Sequence, residues 1–194
     1  MADKQPKFLP AGPEAMIVDS RITFEDAIAG TAAPGAVIQE LCLLDVCYVS
    51  CDGNVHQGQV VVHRRLQEEL IEIFAVIRAI GFPLAKVVPI VHYGWSDEAS
   101  MADNNTSAFN YRRVAGAKRL SRHATGQAID INPVQNPVIY ADGLALPPGA
   151  VYDPRAPGAF TSESPLMQAF LLRGWQWGGN FPGLKDYHHW EKLR

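Results

Sequence analysis

The sequence predicts an α+β protein with helices packed against an antiparallel β-sheet. Three observations predict it: an Asp52-Gly53 pair between two β-favouring runs, an amphipathic stretch from Arg64 to Ile80, and further apolar runs joined mostly by short turns. At 194 residues the chain suits one domain with a sizeable core. A hydrophobic fraction of 47% and a charged fraction of 19% are those of an ordinary globular protein, so disorder is expected only at the ends.

The elements follow in order. Residues 1–36 are rich in Pro, Gly and Ala and keep no period. They read as an extended N-terminal arm over the domain surface with one helical turn around Phe24-Glu25-Asp26-Ala27, and residues 37–194 read as a single catalytic domain. Leu43 to Cys51 and Val55 to His63 are hairpin strands about the Asp-Gly turn. From Arg64 to Ile80, Leu66, Leu70, Ile73, Phe74, Ile77 and Ile80 fall at spacings of three and four, which makes a helix that Gly81 ends and Pro83 keeps from continuing. Val87 to Tyr93 reads as a buried strand that Pro89 pushes toward an edge. Residues 94–108 read as a functional loop, and Phe109 to Val114 and Gly126 to Ile131 as paired strands. Tyr140 to Thr161 is a Pro/Gly-rich excursion expected to border a cleft. Ser164-Pro165 opens a short helix that runs to Arg173, and Tyr187 to Leu193 returns as a strand.

Composition limits the function. A net charge of -3 offers no footprint for nucleic acid, and no basic run is long enough to grip an anionic membrane. There is no apolar stretch of membrane-span length and no signal-peptide pattern in the chain as given, so export is expected to be encoded elsewhere or to depend on another system. Cys42, Cys47 and Cys51 are odd in number, so at least one thiol stays free. Cys47 and Cys51 share a strand face about 13 Å apart at ~3.3 Å per residue, too far to bond. Buried small apolar side chains explain the three better than a thiolate metal site does.

Chemistry concentrates in SRHATGQAID, Ser121 to Asp130, and in Asp186-Tyr187-His188-His189. A His and an Asp seven residues apart across a Gly-containing turn can aim an imidazole and a carboxylate at one point, and a distant His would close a three-ligand site. Two imidazoles and one carboxylate are the donor set of a catalytic zinc, whose fourth position is left to water.

The run S-x-H-x-x-G-x-A-x-D followed far downstream by D-x-x-H resembles the signature of the VanY-like zinc D-alanyl-D-alanine carboxypeptidases, with their relatives the D-Ala-D-Ala dipeptidases and L-alanyl-D-glutamate endopeptidases. NNTSAFNYR (Asn104 to Arg112), AIDINPVQNP (Ala128 to Pro137) and GWQWGG (Gly174 to Gly179) extend the similarity to roughly residues 55–193. The resemblance implies the hedgehog/D,D-peptidase fold and one zinc held by His123, Asp130 and His189. His189 is selected over His188 because the ligand is the third residue after the acid and an aromatic, here Trp190, follows it. His188 is expected to face substrate or solvent. Asp186 is implied as the general base, Arg112 as the cation on the peptide carbonyl or on a substrate carboxylate, and Ser121 as a group that contacts substrate or orders the ligand loop. Arg113, of opposite strand parity, is expected to face away. Trp175 and Trp177 are read as core before cleft wall, and His56, His63 and His92 as ordinary surface or core histidines.

The expected activity is zinc-dependent cleavage of a peptidoglycan stem peptide at the cell wall, by a monomer, with carboxypeptidase and endopeptidase specificity both open. The alternative is a non-catalytic, zinc-stabilised wall-binding or interaction module on the same fold. Such a module would keep the three ligands and lose the acid, whereas Asp186 is present.

Overall fold

A computed structural model describes residues 16–193 of the chain. Its strands are β1 (Ile17–Val18), β2 (Leu41–Val49), β3 (Val55–His63), β4 (Lys86–Val87), β5 (Asn105–Thr106), β6 (Ala128–Asp130), β7 (Val138–Tyr140), β8 (Ala145–Leu146), β9 (Gln176–Trp177), β10 (Leu184–Asp186) and β11 (His189–Glu191). Its helices are α1 (Phe24–Ala27), α2 (Gly35–Ile38), α3 (Gln67–Ala79), α4 (Asp97–Ala102) and α5 (Pro165–Leu172). The class is α+β, and the sheet is divided into small ones ordered β1-β3-β2, β10-β7-β8, β6-β11-β9 and β4-β5. Most pairings are antiparallel, but β1 runs parallel to β3 and β4 parallel to β5.

The hairpin is the largest element, with Leu41 opposite His63 and Val49 opposite Val55. Its loop is five residues long, from Ser50 to Asn54, rather than a two-residue Asp-Gly turn. Asp52 Oδ1 accepts the Asn54 N–H at 2.8 Å, Gly53 takes φ +85°, and Cys51 falls in this loop, off the strand. All three cysteines are free thiols.

A 3-10 turn over Arg64–Leu66 leads into α3, which buries Leu70, Ile73, Phe74 and Ile77 against the hairpin. Ile80, expected on that face, lies past the last helical turn and is exposed. Gly81 at φ +65° ends the helix as expected. The same core takes in Phe160, Phe170, Trp175 and Trp190, with Trp190 stacked on Phe170 at a centroid distance of 4.3 Å.

Of the expected arm, residues 1–15 lie outside the described residues. From Met16 onward the chain adds β1 to the edge of β3. It then forms α1 with Thr23 as its N-cap and buries Ala27 and Ala33 with Leu41, Val61 and Phe109 in a second core.

Three expectations need correction. Only Lys86–Val87 of the expected strand at 87–93 is a strand; Pro89, which cannot donate to a ladder, precedes a 3-10 turn over Ile90–Tyr93. The 94–108 loop contains α4, because the Ser96 hydroxyl accepts the Ala99 N–H at 3.1 Å and Asp97 and Glu98 suit a helix start. Phe109 to Val114 is not a strand: it touches β3 through Phe109 N–H to Val61 O, and its one bridge is Arg113 with Leu120. The partner of β6 is β11. By contrast α5 starts as read, with Ser164 Oγ accepting the Met167 N–H at 3.1 Å.

Candidate functional site

Two short structures bring the motif residues together. Ser121 caps a 3-10 turn over Arg122–Thr125 by accepting the His123 N–H at 3.2 Å, and Gly126 leaves the turn at φ +65°. A side chain there would meet His63 N at 2.6 Å and Leu41 Cδ2 at 2.8 Å, so glycine is needed for close packing as well as for the backbone angle. The chain then enters β6, where Asp130 stands directly opposite His189 of β11. Directly opposed residues of an antiparallel pair share one sheet face, so the strand register itself joins two candidate ligands distant in sequence.

The donor groups converge, with Asp130 turning one oxygen to each ring. His123 Nε2 lies 3.1 Å from His189 Nδ1 and 3.1 Å from Asp130 Oδ2, and His189 Nδ1 lies 3.0 Å from Asp130 Oδ1. All three residues are buried and form a group able to hold a metal ion. The outer nitrogens of both rings meet acceptors. His123 Nδ1 faces the Ala108 carbonyl at 2.5 Å and must donate to it; His189 Nε2 faces Glu191 Oε2 at 3.1 Å and donates there. Nε2 of His123 and Nδ1 of His189 therefore both turn toward the Asp130 carboxylate, where each can carry a proton or, with a cation between them, offer its lone pair.

The surrounding charges agree. Burial opposes ionisation of Asp130, but the charges of His123 and His188 and the hydrogen bonds from His123 and His189 hold its carboxyl well below the usual range. Burial also pulls the His189 pKa down, yet hydrogen bonds to Asp130 and Glu191 and the charges of Asp130 and Asp186 outweigh it and raise it to about 10. Taking an ionised carboxylate out of water costs several kcal/mol. A cluster of this kind is a site rather than a source of stability.

Asp186, at the end of β10, lines the same cleft of about 270 Å³ as the three donors and is partly open to it. Burial would raise its pKa, but the charge of His188, joined by that of His189, keeps it lowered. His188 does not face substrate or solvent as expected. It is buried, donates from Nδ1 to the Asn136 carbonyl at 2.7 Å and sets Nε2 3.0 Å from Asp186 Oδ1. Burial lowers its pKa, and the charges of Asp186 and Asp130 reverse this and raise it to about 9.

Arg112 lines the cleft as well, half-buried, with Nη2 on Asp97 Oδ2 at 3.0 Å and a buried Nε that has no partner among the described residues. Arg113 is exposed, bonds the Lys118 carbonyl and is not part of the cleft wall. Ser121 is also in the wall, and the contact it makes here is the cap on the His123 turn.

With this geometry the family comparison becomes informative. Residues 115–192 match the family described as D-alanyl-D-alanine carboxypeptidase. Neither a curated protein nor a solved structure matches the chain. The matched residues include Ser121, His123, Asp130, Asp186 and His189, and Arg112 stands just before them. The matched segment includes His123, Asp130 and His189, the group able to hold a metal ion.

Three residues of the site went unread in the sequence. Glu191 shares a strand face with His189, so period-two parity was the available signal. Asp97 carried none, because α4 and its contact with Arg112 depend on tertiary packing. Asn136, inside the quoted run to Pro137, holds the neighbouring loop: its Nδ2 donates to the carbonyls of Ile131, Asn132 and Gly158, and its Oδ1 accepts the Phe160 N–H at 2.7 Å. Trp175 and Trp177 are absent from the cleft wall. Trp175 is buried with its N–H on Glu69, and Trp177 packs against the main core.

Proposed function

We propose that the protein is a zinc-dependent peptidase that cleaves peptidoglycan stem peptides at the cell wall. The observation that carries the reading is the convergence of His123, Asp130 and His189, whose facing donor atoms lie 3.0–3.1 Å apart, inside a cleft that Asp186 and Arg112 also line. Ligands about 2.0–2.2 Å from a tetrahedral zinc stand roughly 3.3–3.5 Å apart. The contacts of 3.0–3.1 Å between donors need to open by only a few tenths of an ångström.

When bound there, zinc would supply Lewis acidity to a water and to the scissile carbonyl. His123 and His189 hold their rings through Ala108 and Glu191, and Asp130 completes the donor set. Asp186, ionised in the cleft wall, takes the proton of the attacking water and returns it to the leaving amine. Arg112 offers its unpartnered Nε–H to the oxygen on which charge develops, while Asp97 fixes the other end of the guanidinium. A donor so placed contributes roughly 3–4 kcal/mol in comparable sites. Ser121 keeps the His123 turn in shape and presents its edge to substrate.

Arg119 and Arg122 line the same cleft with no ion pair among the described residues, which suits a peptide bearing carboxylates. A non-catalytic metal module has no use for an ionised Asp186 in the cleft wall, and the acid favours an enzyme over that alternative.

The test is incubation of purified muropeptides with the protein, followed by mass analysis of the new termini. Cleavage is expected, abolished by chelation and restored by zinc. Loss of D-Ala identifies a carboxypeptidase, and scission within the stem identifies an endopeptidase. Intact muropeptides in the presence of zinc would leave only the non-catalytic reading.

A further inference from the structure

We propose that His188 is the positioning residue for Asp186, joining the loop after β6 to the carboxylate that, on the reading above, handles the water's proton. Asp186 closes β10 in one small sheet, and His189 opens β11 in another. Only Tyr187 and His188 link them. The distance of the acid from the metal donors therefore depends on a two-residue connection between separate sheets, and an Asp side chain has three staggered χ1 wells to choose from.

His188 removes that freedom. Its ring is 3% exposed, with Nδ1–H donating to the Asn136 carbonyl at 2.7 Å and Nε2 3.0 Å from Asp186 Oδ1. A carbonyl can only accept, so Nδ1 carries a proton; Nε2 meets Asp186 Oδ1 as a close ion-pair contact, and Oδ1 has no aligned hydrogen bond among the described residues. The anchor is rigid in turn. Asn136 is fully buried and uses both ends of its side chain on the backbone of residues 131, 132, 158 and 160. The Tyr187 N–H bonds the Pro137 carbonyl at 3.2 Å and ties the link to the same loop. Burying this imidazole against a carboxylate costs desolvation without filling an apolar core. What it secures is the aim of Asp186, which a reacting group must hold to about 0.5 Å.

The experiment compares His188→Leu, His188→Gln and Asp186→Ala, with His188→Leu and His188→Gln each also placed in the Asp186→Ala background. Readouts are zinc affinity by competition with a chromophoric chelator, the absorption of the cobalt(II)-loaded protein, kcat and KM on purified muropeptides, and a crystal structure of the folded variant. For His188→Leu we expect zinc affinity, cobalt spectrum and KM within about threefold of the parent and kcat lower by about 10–100-fold. His188→Gln, which keeps an N–H donor, should recover part of the loss. Neither substitution should lower kcat further once Asp186 is Ala, and the Asp186 carboxylate should leave its site in the variant crystal while the three donors stay.

A further kcat loss in the Asp186→Ala background, or zinc loss like that of His189→Ala, would overturn the positioning role. If His188→Leu does not fold, the His188→Gln arm decides on the same criteria. Unchanged turnover in Asp186→Ala would remove the general-base reading and this inference together, whereas additivity removes this inference alone.

Discussion

Glu191 lies two residues past His189, on the same strand face, and accepts its Nε2–H at 3.1 Å. Such partners fix the tautomer and orientation of a ligand ring, and their loss typically costs about 10–100-fold in metal affinity or activity. Glu191→Ala should therefore lower zinc affinity by that factor in a competition titration, and Glu191→Gln by less, since its amide oxygen still accepts. Asp186→Ala should behave oppositely, keeping zinc and losing about 10²–10⁴-fold in turnover, as removal of a general base does. His123→Ala loses both. Were Asp186→Ala to release zinc as readily as His123→Ala, Asp186 would be a ligand. Arg112 separates from its neighbour in the same way. A lysine cannot hold Asp97 and reach an oxyanion with one planar fork, so Arg112→Lys should depress kcat strongly, while Arg113→Lys, out on the surface, should change little. Equal small effects at the two positions would take Arg112 out of the chemistry.

At the scale of elements, the site depends on how closely β10 and β11 pack over the turn that follows β9. Gly178 sits between them. A Cβ there would lie 2.6 Å from the Asp186 carbonyl oxygen, 2.9 Å from Asp186 Cβ and 3.1 Å from His189 Cβ. Backbone must move to admit it, at about 1–3 kcal/mol, and what moves carries the proposed base Asp186 and the proposed ligand His189. Gly178→Ala should thus lower both zinc affinity and turnover, unlike Asp186→Ala, and kinetics with a zinc titration on the one variant would show it. A variant with parental values of both would mean that the close approach can relax elsewhere. The same elements show where sequence reading stops. The amphipathic period of α3, the Ser-Pro start of α5 and the turn chemistry of Gly126 are local and legible. The convergence of His123, Asp130 and His189 was legible from the motif together with the family resemblance, which singled out His189 over His188. The pairing of β6 with β11 in place of 109–114 was not, since strands of three residues carry too little alternation to choose a partner. The burial of His188 likewise depends on where the loop at Asn136 lies. That loop is fixed by side-chain bonds to backbone, which leave no period in the sequence.

At the scale of the molecule, the segment from Met16 is held to the hairpin by a polar cluster far along β3 from the ligand turn. His56 Nδ1 lies 2.9 Å from Asp19 Oδ2 and Nε2 lies 3.1 Å from Asp52 Oδ2, while the Tyr48 hydroxyl donates to Asp19 and accepts the Val87 N–H at 3.1 Å. Burial would lower the His56 pKa, but the hydrogen bonds and charges of Asp19 and Asp52 prevail and raise it. Backbone and side-chain hydrogen bonds from Asn54 lower that of Asp52, with His56 adding to them. The signs fix the pH window. A raised His56 contributes its full stability below its unfolded value of about 6.5 and loses it as pH rises through the folded value. A lowered Asp52 contributes above its unfolded value, about 3.9, and loses it as pH falls through the folded one. Both contributions are present from about pH 4 to 6.5. His56→Gln keeps polarity but not charge, so urea unfolding of the two proteins should show the largest stability difference near pH 5.5, shrinking by pH 9. Subtracting the variant cancels titration at the candidate site, where His188 and His189 also change charge. A difference independent of pH would mean that His56 acts through packing on Tyr48, whose ring centroid is 5.7 Å away, and that the ion pairs add nothing to the hold on the N-terminal segment.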